Sequence, residues 1–148
     1  MLGEKATNEL NEVLKNTNPD NLDEYFKANR NELSEEKSFR YFLADIYDEK
    51  HIKRKDVYTA VGVSESYGGR ILRMEGPNNA SRDLIIRFCL VGKLTLEETN
   101  RALELYKLSP LYPRDKRDAC LIVAINKKIY DIADVDDLLA KENLKIIS

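Results

Sequence analysis

Residues 52–76, IKRKDVYTAVGVSESYGGRILRMEG, decide the fold, because they predict two short helices joined by a tight turn. Gly62 supplies a left-handed turn residue, a conformation that a larger side chain resists. Val63 fills the angle between the helices, and Ser64 is placed to cap the second one. The predicted inner face of the first helix consists of Ile52, Val57, Ala60 and Val61. This stretch therefore has helix-turn-helix geometry.

The second of these helices predicts an exposed polar face above a buried apolar one. Ile71 and either Leu72 or Met74 should point inward. Basic residues stand just before and at the start of the first helix, where such an element meets phosphates, and Lys50 precedes them. The candidate DNA-binding residues are Lys53, Arg54, Lys55, Ser64, Glu65, Ser66, Tyr67, Arg70 and Arg73. For the three basic residues 53–55 and for Arg70 and Arg73, ordinary surface charges remain the alternative.

The charge distribution supports this placement, although the whole chain has a net charge of −2. Residues 1–49 carry 6 basic and 12 acidic side chains, whereas residues 50–93 carry 9 and 4. Residues 94–148 carry 9 and 10. Because nucleic acid rewards positive charge, the middle of the chain is the part that suits a DNA partner.

Composition predicts a helical protein without a membrane span. The chain has 148 residues, of which 43% are apolar and none is Trp. No apolar run approaches the roughly 18 residues of a span, and the first residues lack the order of a signal peptide. We therefore expect a cytoplasmic protein with no membrane contact. Cys89 and Cys120 lie in apolar stretches and are expected to be reduced core thiols.

Helical periodicity continues along almost the whole chain, and no stretch alternates like a strand. Side chains suited to capping helix starts are Asp20, Ser64, Ser81, Thr95, Asp115 and Asp131. The predicted helices cover 4–16, 20–31, 35–49, 53–61, 64–74, 81–91, 95–107, 115–127 and 131–142. We assign three segments: an N-terminal helical pair at 1–33, a helix-turn-helix domain at 34–107, and a C-terminal hairpin at 108–148 that packs on that domain.

An internal repeat is visible in the last third of the chain. Arg82-Asp83 returns 35 residues later as Arg117-Asp118. At the same spacing Phe88 matches Val123, Leu90 matches Ile125, Leu94 matches Ile129 and Leu103 matches Leu138. A helical hairpin of this size cannot bury its apolar face alone, so the repeat predicts stacked hairpins. The two Arg-Asp pairs are expected to make structural contacts at helix starts.

No catalytic constellation is visible in the sequence. His51 is the only histidine, and the acidic pairs lie on predicted helix faces without a partner base or nucleophile. Gly68-Gly69 lacks the downstream Lys-Ser/Thr of a phosphate loop. The pair should cost about 1 kcal/mol per glycine relative to Ala within a helix, and it allows another backbone or a packed helix to come close. We expect no enzyme, no catalytic residue, no cofactor and no metal site.

Residues 36–107 resemble the lambda-repressor-like, five-helix DNA-binding domains of the XRE family of regulators. Over nearly the whole chain, the sequence also resembles a group of small helix-turn-helix proteins of Gram-positive bacteria. The motifs that carry this resemblance are Ser66–Ile71, Ser81-Arg82-Asp83, Leu94–Glu98, Leu111–Arg114 and Arg117-Asp118. The resemblance implies a DNA-binding regulator. Arg70 stands where this group often carries Gln, which implies a preference for guanine over adenine.

Two functions are open at this stage. The first is a sequence-specific transcriptional regulator that binds double-stranded DNA, as a homodimer with two recognition helices about 34 Å apart. The second is a non-catalytic adaptor that keeps the fold and binds a protein partner through its C-terminal helices. For the dimer contact we favour the apolar chain end, Leu144, Ile146 and Ile147, over the acidic N-terminal pair. The alternative is that this end folds back onto the last hairpin.

Overall fold

Every regular element in the described part of the protein is helical, which confirms the all-α prediction. The computed structural model describes residues 7–28, 38–75 and 80–148. Within these ranges the helices are α1 Thr7–Lys15, α2 Leu22–Ala28, α3 Phe39–Glu49, α4 Arg54–Val61, α5 Glu65–Leu72, α6 Arg82–Val91, α7 Leu96–Leu105, α8 Lys116–Asn126 and α9 Ile132–Lys141. The chain divides into two compact units, Met1–Ser38 and Phe39–Ser148. No helix among the described residues is long and apolar enough to cross a membrane.

The N-terminal unit contains α1, a 3-10 turn at Pro19–Asn21, and α2. Asp20 lies inside that turn and does not cap α2, because Pro19 initiates a tighter turn first. Tyr25 is buried and its ring meets Phe26 edge to face. Several large apolar side chains of this unit are more than 40% exposed, namely Val13, Leu14, Leu22 and Phe26. The predicted helical positions 4–6, 29–31 and 35–37 lie outside the described residues.

Helix α3 supplies the centre of the core in the larger unit. Its apolar residues Phe39, Phe42, Leu43 and Ile46 are at most 4% exposed. Tyr47 is fully buried and donates a hydrogen bond from its hydroxyl to the carbonyl of Phe88 at 2.8 Å. Lys50 donates to the carbonyls of Gly92 and Lys93 at the end of α6. Lys50 therefore holds α3 against α6 and does not stand free near a phosphate.

The turn between α4 and α5 forms as the sequence predicts. Gly62 has a φ of +91° and ends α4, and its N–H donates to Tyr58 O at 2.9 Å. The Ser64 hydroxyl accepts from Tyr67 N at 3.1 Å and caps α5. Val57 and Val61 are buried, but Ala60 is exposed, so the prediction that Ala60 faces inward is wrong. The inner face of α4 is thus narrower than the apolar pattern suggested.

The repeat is present in the structure as two similar helical hairpins, a first hairpin of α6 and α7 and a second hairpin of α8 and α9. Four of the predicted caps form: Ser81, Thr95, Asp115 and Asp131 each accept a backbone N–H three residues on. Thr95 and Glu98 complete a capping box. The two hairpins bury Leu90 and Ile125 at matching positions. Both end their first helix on a left-handed lysine, Lys93 and Lys128.

The two Arg-Asp pairs of the repeat bind each other crosswise. Arg82 forms a bidentate ion pair with Asp118 at 2.8 Å, and Arg117 forms one with Asp83 at 2.8 and 2.9 Å. Each guanidinium also fastens the chain that follows its own hairpin. Arg82 donates to the carbonyls of Ser109 and Pro110, and Arg117 donates to those of Lys145 and Ile146. The prediction of structural contacts here is confirmed.

The second half of the repeat is shifted by one residue from the sequence alignment. The caps Thr95 and Asp131 are 36 residues apart, so Leu103 corresponds to Leu139. Leu139 is fully buried, whereas the predicted Leu138 is only half-buried. Phe88 is buried under α3, but its predicted counterpart Val123 is 52% exposed. Residues that match in the sequence of the two hairpins therefore differ in burial.

The C-terminal segment folds back onto the second hairpin. Ile147 is buried, and its N–H donates to Asp136 Oδ1 at 2.6 Å. Leu144 is half-buried, and only Ile146 of the three apolar residues is exposed. The alternative stated for this chain end, that it folds back onto the last hairpin, is therefore what the structure has, and it leaves Ile146 exposed.

The crossed ion pairs generate a stability prediction. Arg82→Ala would leave the Asp118 carboxylate, which is 8% exposed, without its guanidinium partner. We expect a loss of about 3 kcal/mol in the free energy of unfolding. Arg117→Ala should cost about 1–2 kcal/mol, because the Asp83 side chain is 24% exposed and reaches water. Urea unfolding measures both, with exposed Arg114→Ala as the control. Equal effects of all three substitutions would contradict the structural role.

The same pair predicts a dependence of stability on pH. Burial alone would raise the pKa of Asp118, but hydrogen bonds from Arg82 and from Tyr112 N outweigh burial and hold it below its ordinary value. The pair therefore stabilises the protein fully above the unfolded pKa of about 4, and this contribution is lost as the pH falls below it. In Asp118→Asn the unfolding free energy should decline less steeply from about pH 4 to pH 2. Parallel curves for both proteins would contradict this assignment.

Candidate nucleic-acid interface

The outer face of α5 exposes most of the predicted recognition residues together. Ser64, Glu65, Ser66, Tyr67 and Arg70 are all exposed. Ser64 uses its hydroxyl oxygen to cap the helix, so its side chain is partly committed. Ile71 and Leu72 are buried beneath, whereas Met74 is half-buried, which identifies Leu72 as the inward residue. A single helix face thus offers hydroxyl, carboxylate, phenol and guanidinium groups to a partner.

Tyr67 has both an exposed and a packed side. Its side chain is 37% exposed. Burial, and to a smaller extent the nearby Tyr67 phenol, raises the pKa of Tyr106 at the end of α7. Part of the Tyr67 ring therefore stays accessible on the outer face of α5.

The basic residues at the start of α4 divide into two kinds. Lys53 and Lys55 are exposed and make no hydrogen bond through their side chains to a described residue. Arg54 instead lies 3.1 Å from Asp48 Oδ1 and 3.4 Å from Ala44 O through Nη2. Its guanidinium carbon is 5.2 Å from the centre of the Tyr47 ring. Lys53 and Lys55 are available to an external partner, and Arg54 is held against α3.

Arg73, at the end of α5, is paired with a carboxylate of its own chain. Its Nε donates to Glu75 Oε1 at 2.8 Å. This hydrogen bond lowers the pKa of Glu75, and the charges of Arg40 and Arg70 act in the same direction. The Arg70 side chain makes no hydrogen bond to a described residue. Glu75 is therefore a carboxylate among three exposed arginines, of which Arg73 is the one that it binds.

The glycine pair of α5 makes room for two neighbouring side chains. A Cβ at Gly68 would overlap the Tyr58 ring of α4 and would lie 2.7 Å from its Cε1 atom. A Cβ at Gly69 would lie 2.9 Å from Arg73 Nη1. Both glycines are buried, so Gly69 does not stand where a side chain would reach DNA bases. The interpretation that the pair permits close packing agrees with these contacts.

These side chains line a cavity of 330 Å³ that we call the arginine cleft. It is bounded by Arg40, Tyr41, Ala44, Arg54, Tyr58, Gly69, Leu72 and Arg73, which come from α3, α4 and α5. Three of the eight are arginines. Arg40, Tyr41 and Tyr58 were not among the predicted site residues, because Arg40 and Tyr41 precede the helix-turn-helix stretch and Tyr58 lies within it without being basic. The one signal that could have found Tyr58 is the glycine pair, since a helix interior tolerates it only for close packing.

The structure therefore groups only part of the predicted site. Arg54 and Arg73 line the arginine cleft, and Arg70 lies near Glu75 at its side. Lys53 instead borders a second hollow with His51 and Asp48. Arg87, another basic residue of the middle segment, is half-buried, and its Nε has no hydrogen-bond partner among the described residues. Among the predicted basic residues at positions 50–93, Arg54 and Arg87 are half-buried, whereas Lys53, Lys55, Arg70 and Arg73 are exposed.

No protein-family model, curated protein or solved structure matches this chain. The functional assignment therefore depends on the chemistry and placement of its own residues.

The two glycines predict opposite effects of the same substitution. Gly68→Ala should destabilise the protein by about 1–2 kcal/mol, because its methyl group overlaps the half-buried Tyr58 ring. Gly69→Ala should instead stabilise it by up to about 1 kcal/mol, since Arg73 is long and exposed and can move aside while the helix gains propensity. Thermal and urea unfolding compare the variants, each serving as the other's control. Equal destabilisation by both would show that Arg73 cannot move.

Proposed function

We propose that this protein is a sequence-specific transcriptional regulator that binds double-stranded DNA through α5. The observation that carries the proposal is the exposed face of α5, on which the Arg70 guanidinium makes no hydrogen bond to a described residue. The turn at Gly62 and the cap at Ser64 fix this helix at a defined angle to α4. A rigid polar helix presented in this way suits the major groove.

The dimensions of α5 support the proposal. Its 8 residues give a length of about 12 Å at about 1.5 Å per residue. The major groove is about 12 Å wide, so α5 fits within one groove segment. A helix this short contacts few base pairs. Specific binding would therefore require a second copy whose helix lies about 34 Å away along the duplex.

The packing of α3–α7 is in keeping with a lambda-repressor-like arrangement. In order along the chain, α4 and α5 form the turn unit, and α3 and α7 lie side by side with the Phe39 and Tyr106 rings 4.7 Å apart. This closure of the first helix on the fifth leaves the outer face of α5 uncovered by α3–α7. In this proposal Arg70 reads a base, most favourably guanine, and Lys53 and Lys55 contact phosphates.

The homodimer that this mechanism requires has a candidate surface in the N-terminal unit. Four large apolar side chains are exposed there, namely Val13, Leu14, Leu22 and Phe26. The C-terminal segment is unsuitable, since Ile147 is already buried against the protein's own last hairpin. Association through the N-terminal unit would bury apolar surface that a single copy leaves in water. We place the regulator in the cytoplasm, where its DNA target is.

The alternative function is an interaction adaptor that has lost DNA binding. The ion pairs of Arg54 with Asp48 and of Arg73 with Glu75 favour it, because both guanidinium groups are already neutralised within the chain. Against it stand the accessible Lys53, Lys55 and Arg70, which those carboxylates do not bind. DNA binding is therefore the function that the exposed groups support better.

DNA binding is tested by selecting sequences from a random duplex library and measuring affinity by fluorescence anisotropy. Arg70→Ala should cost about 1–3 kcal/mol on a selected duplex and remove the preference at one base pair. Lys53→Ala should weaken binding to selected and random duplexes alike, and should reduce the slope of log affinity against log salt by about 0.9.

Arg114→Ala is the matched control, since this exposed arginine is outside the α4–α5 unit. It should leave both affinities nearly unchanged. Failure of the intact protein to bind any duplex at low salt would refute the regulator and leave the adaptor. Equal losses for Arg70→Ala and Lys53→Ala on both duplexes would refute the assigned roles.

A further inference from the structure

The arginine cleft gathers three guanidinium groups whose hydrogen-bonding capacity is largely unused. Arg54 binds Ala44 O and Asp48 through the single atom Nη2, and Arg73 binds Glu75 through Nε alone. The Arg40 side chain makes no hydrogen bond to a described residue and stacks on Tyr41, with 5.5 Å from its guanidinium carbon to the ring centre. Each guanidinium has five N–H donors, so most of them are open to another acceptor.

The structural arginines of the same protein provide a contrast. Arg82 and Arg117 each make four hydrogen bonds, two to a carboxylate and two to backbone carbonyls. Those side chains use most of their N–H donors within the fold. The arginines of the cleft use few of theirs, although they come from three helices to one cavity.

The glycine pair makes room for two side chains of the arginine cleft and lowers the helix propensity of α5 in doing so. Two adjacent glycines lower the helix propensity of α5. Gly68 gives space to the Tyr58 ring, and Gly69 gives space to the Arg73 guanidinium. Both of these side chains line the cleft, so each glycine contributes to its shape.

The carboxylates next to the cleft are exchangeable. The side chains of Asp48 and Glu75 are 73% and 53% exposed, so water can replace the arginine that each one binds. With three arginines and two monovalent carboxylates, the site retains a net positive charge. An anion with two charges and several oxygens would bind several guanidinium groups at once, which neither carboxylate does now.

We propose that the arginine cleft binds the phosphate group of a small phosphomonoester. Guanidinium groups match phosphate oxygens in geometry, and Tyr41 and Tyr58 provide aromatic surface for an attached ring. The volume of 330 Å³ suits a small molecule that is held on several sides. This binding site does not depend on the proposed DNA binding, because Lys53, Lys55 and the Arg70 side chain are not among its lining residues.

The test is a titration of the full chain, labelled with ¹⁵N, by inorganic phosphate and by phenyl phosphate. We expect saturable shifts of the Gly69 amide and of the Nε–H signals of Arg54 and Arg73, with tighter binding of phenyl phosphate. Arg40→Gln should raise the dissociation constant by about tenfold or more, because one charged donor is lost. Gly69→Ala should also weaken binding, since its methyl group displaces Arg73.

Arg114→Gln removes the same charge outside the cleft and should leave the dissociation constants unchanged. Shifts that grow linearly without saturation, or equal weakening by Arg114→Gln and Arg40→Gln, would overturn the proposal. A short DNA duplex is titrated in parallel. If the duplex moves the Gly69 and Arg73 signals while both phosphates leave them unchanged, the cleft contacts DNA backbone and the small-molecule proposal is wrong.

Discussion

The packing of the Tyr58 ring against the backbone of Gly68 determines how α4 and α5 fit together. No side chain at position 68 can occupy that space without moving the ring, so this contact sets how closely the two helices approach. The approach in turn determines which residues of α5 point outward, since Ile71 and Leu72 follow Gly68 into the core. Gly68 therefore affects both the exposed face of α5 and the arginine cleft, because the Tyr58 ring that it accommodates lines that cleft.

The sequence predicted the helices more accurately than the candidate site, because helices depend on local signals and the site depends on contacts between helices. Apolar periodicity and capping side chains are local signals, and they placed every described helix within a few residues of its observed bounds. The fate of each basic side chain depends on which carboxylate or ring lies across from it. Arg54 and Lys53 are adjacent and carry the same charge at pH 7, yet only Arg54 reaches Asp48 and the Tyr47 ring. Neither of these contacts can be read from the neighbouring sequence.

The repeat is a second case in which the sequence predicted the helices but not the contacts between them. Sequence similarity revealed that Arg82-Asp83 and Arg117-Asp118 are equivalent, but equivalence does not say whether each pair closes within its own hairpin or across to the other. The structure has the crossed arrangement, which joins the two hairpins through two bidentate ion pairs. A one-residue shift before α9 then moved the buried position from Leu138 to Leu139. Such a shift is invisible when one spacing is applied to the whole repeat.

The two proposed sites use arginines that are three residues apart at the end of α5. DNA binding would use Arg70 on the outer face of α5, and phosphate binding would use Arg73 one turn further along. Glu75 is electrostatically coupled to both arginines. An anion in the cleft that replaces Glu75 at Arg73 would leave the negative charge of Glu75 without that partner. This charge would then offset more of the positive charge of Arg70 and would reduce the attraction of Arg70 for DNA. A phosphorylated ligand would therefore weaken DNA binding, whereas a simple increase in positive charge at the cleft would strengthen it. The sign of that coupling, measured as DNA affinity with and without phenyl phosphate, separates a ligand-controlled regulator from one whose cleft only assists binding to the DNA backbone.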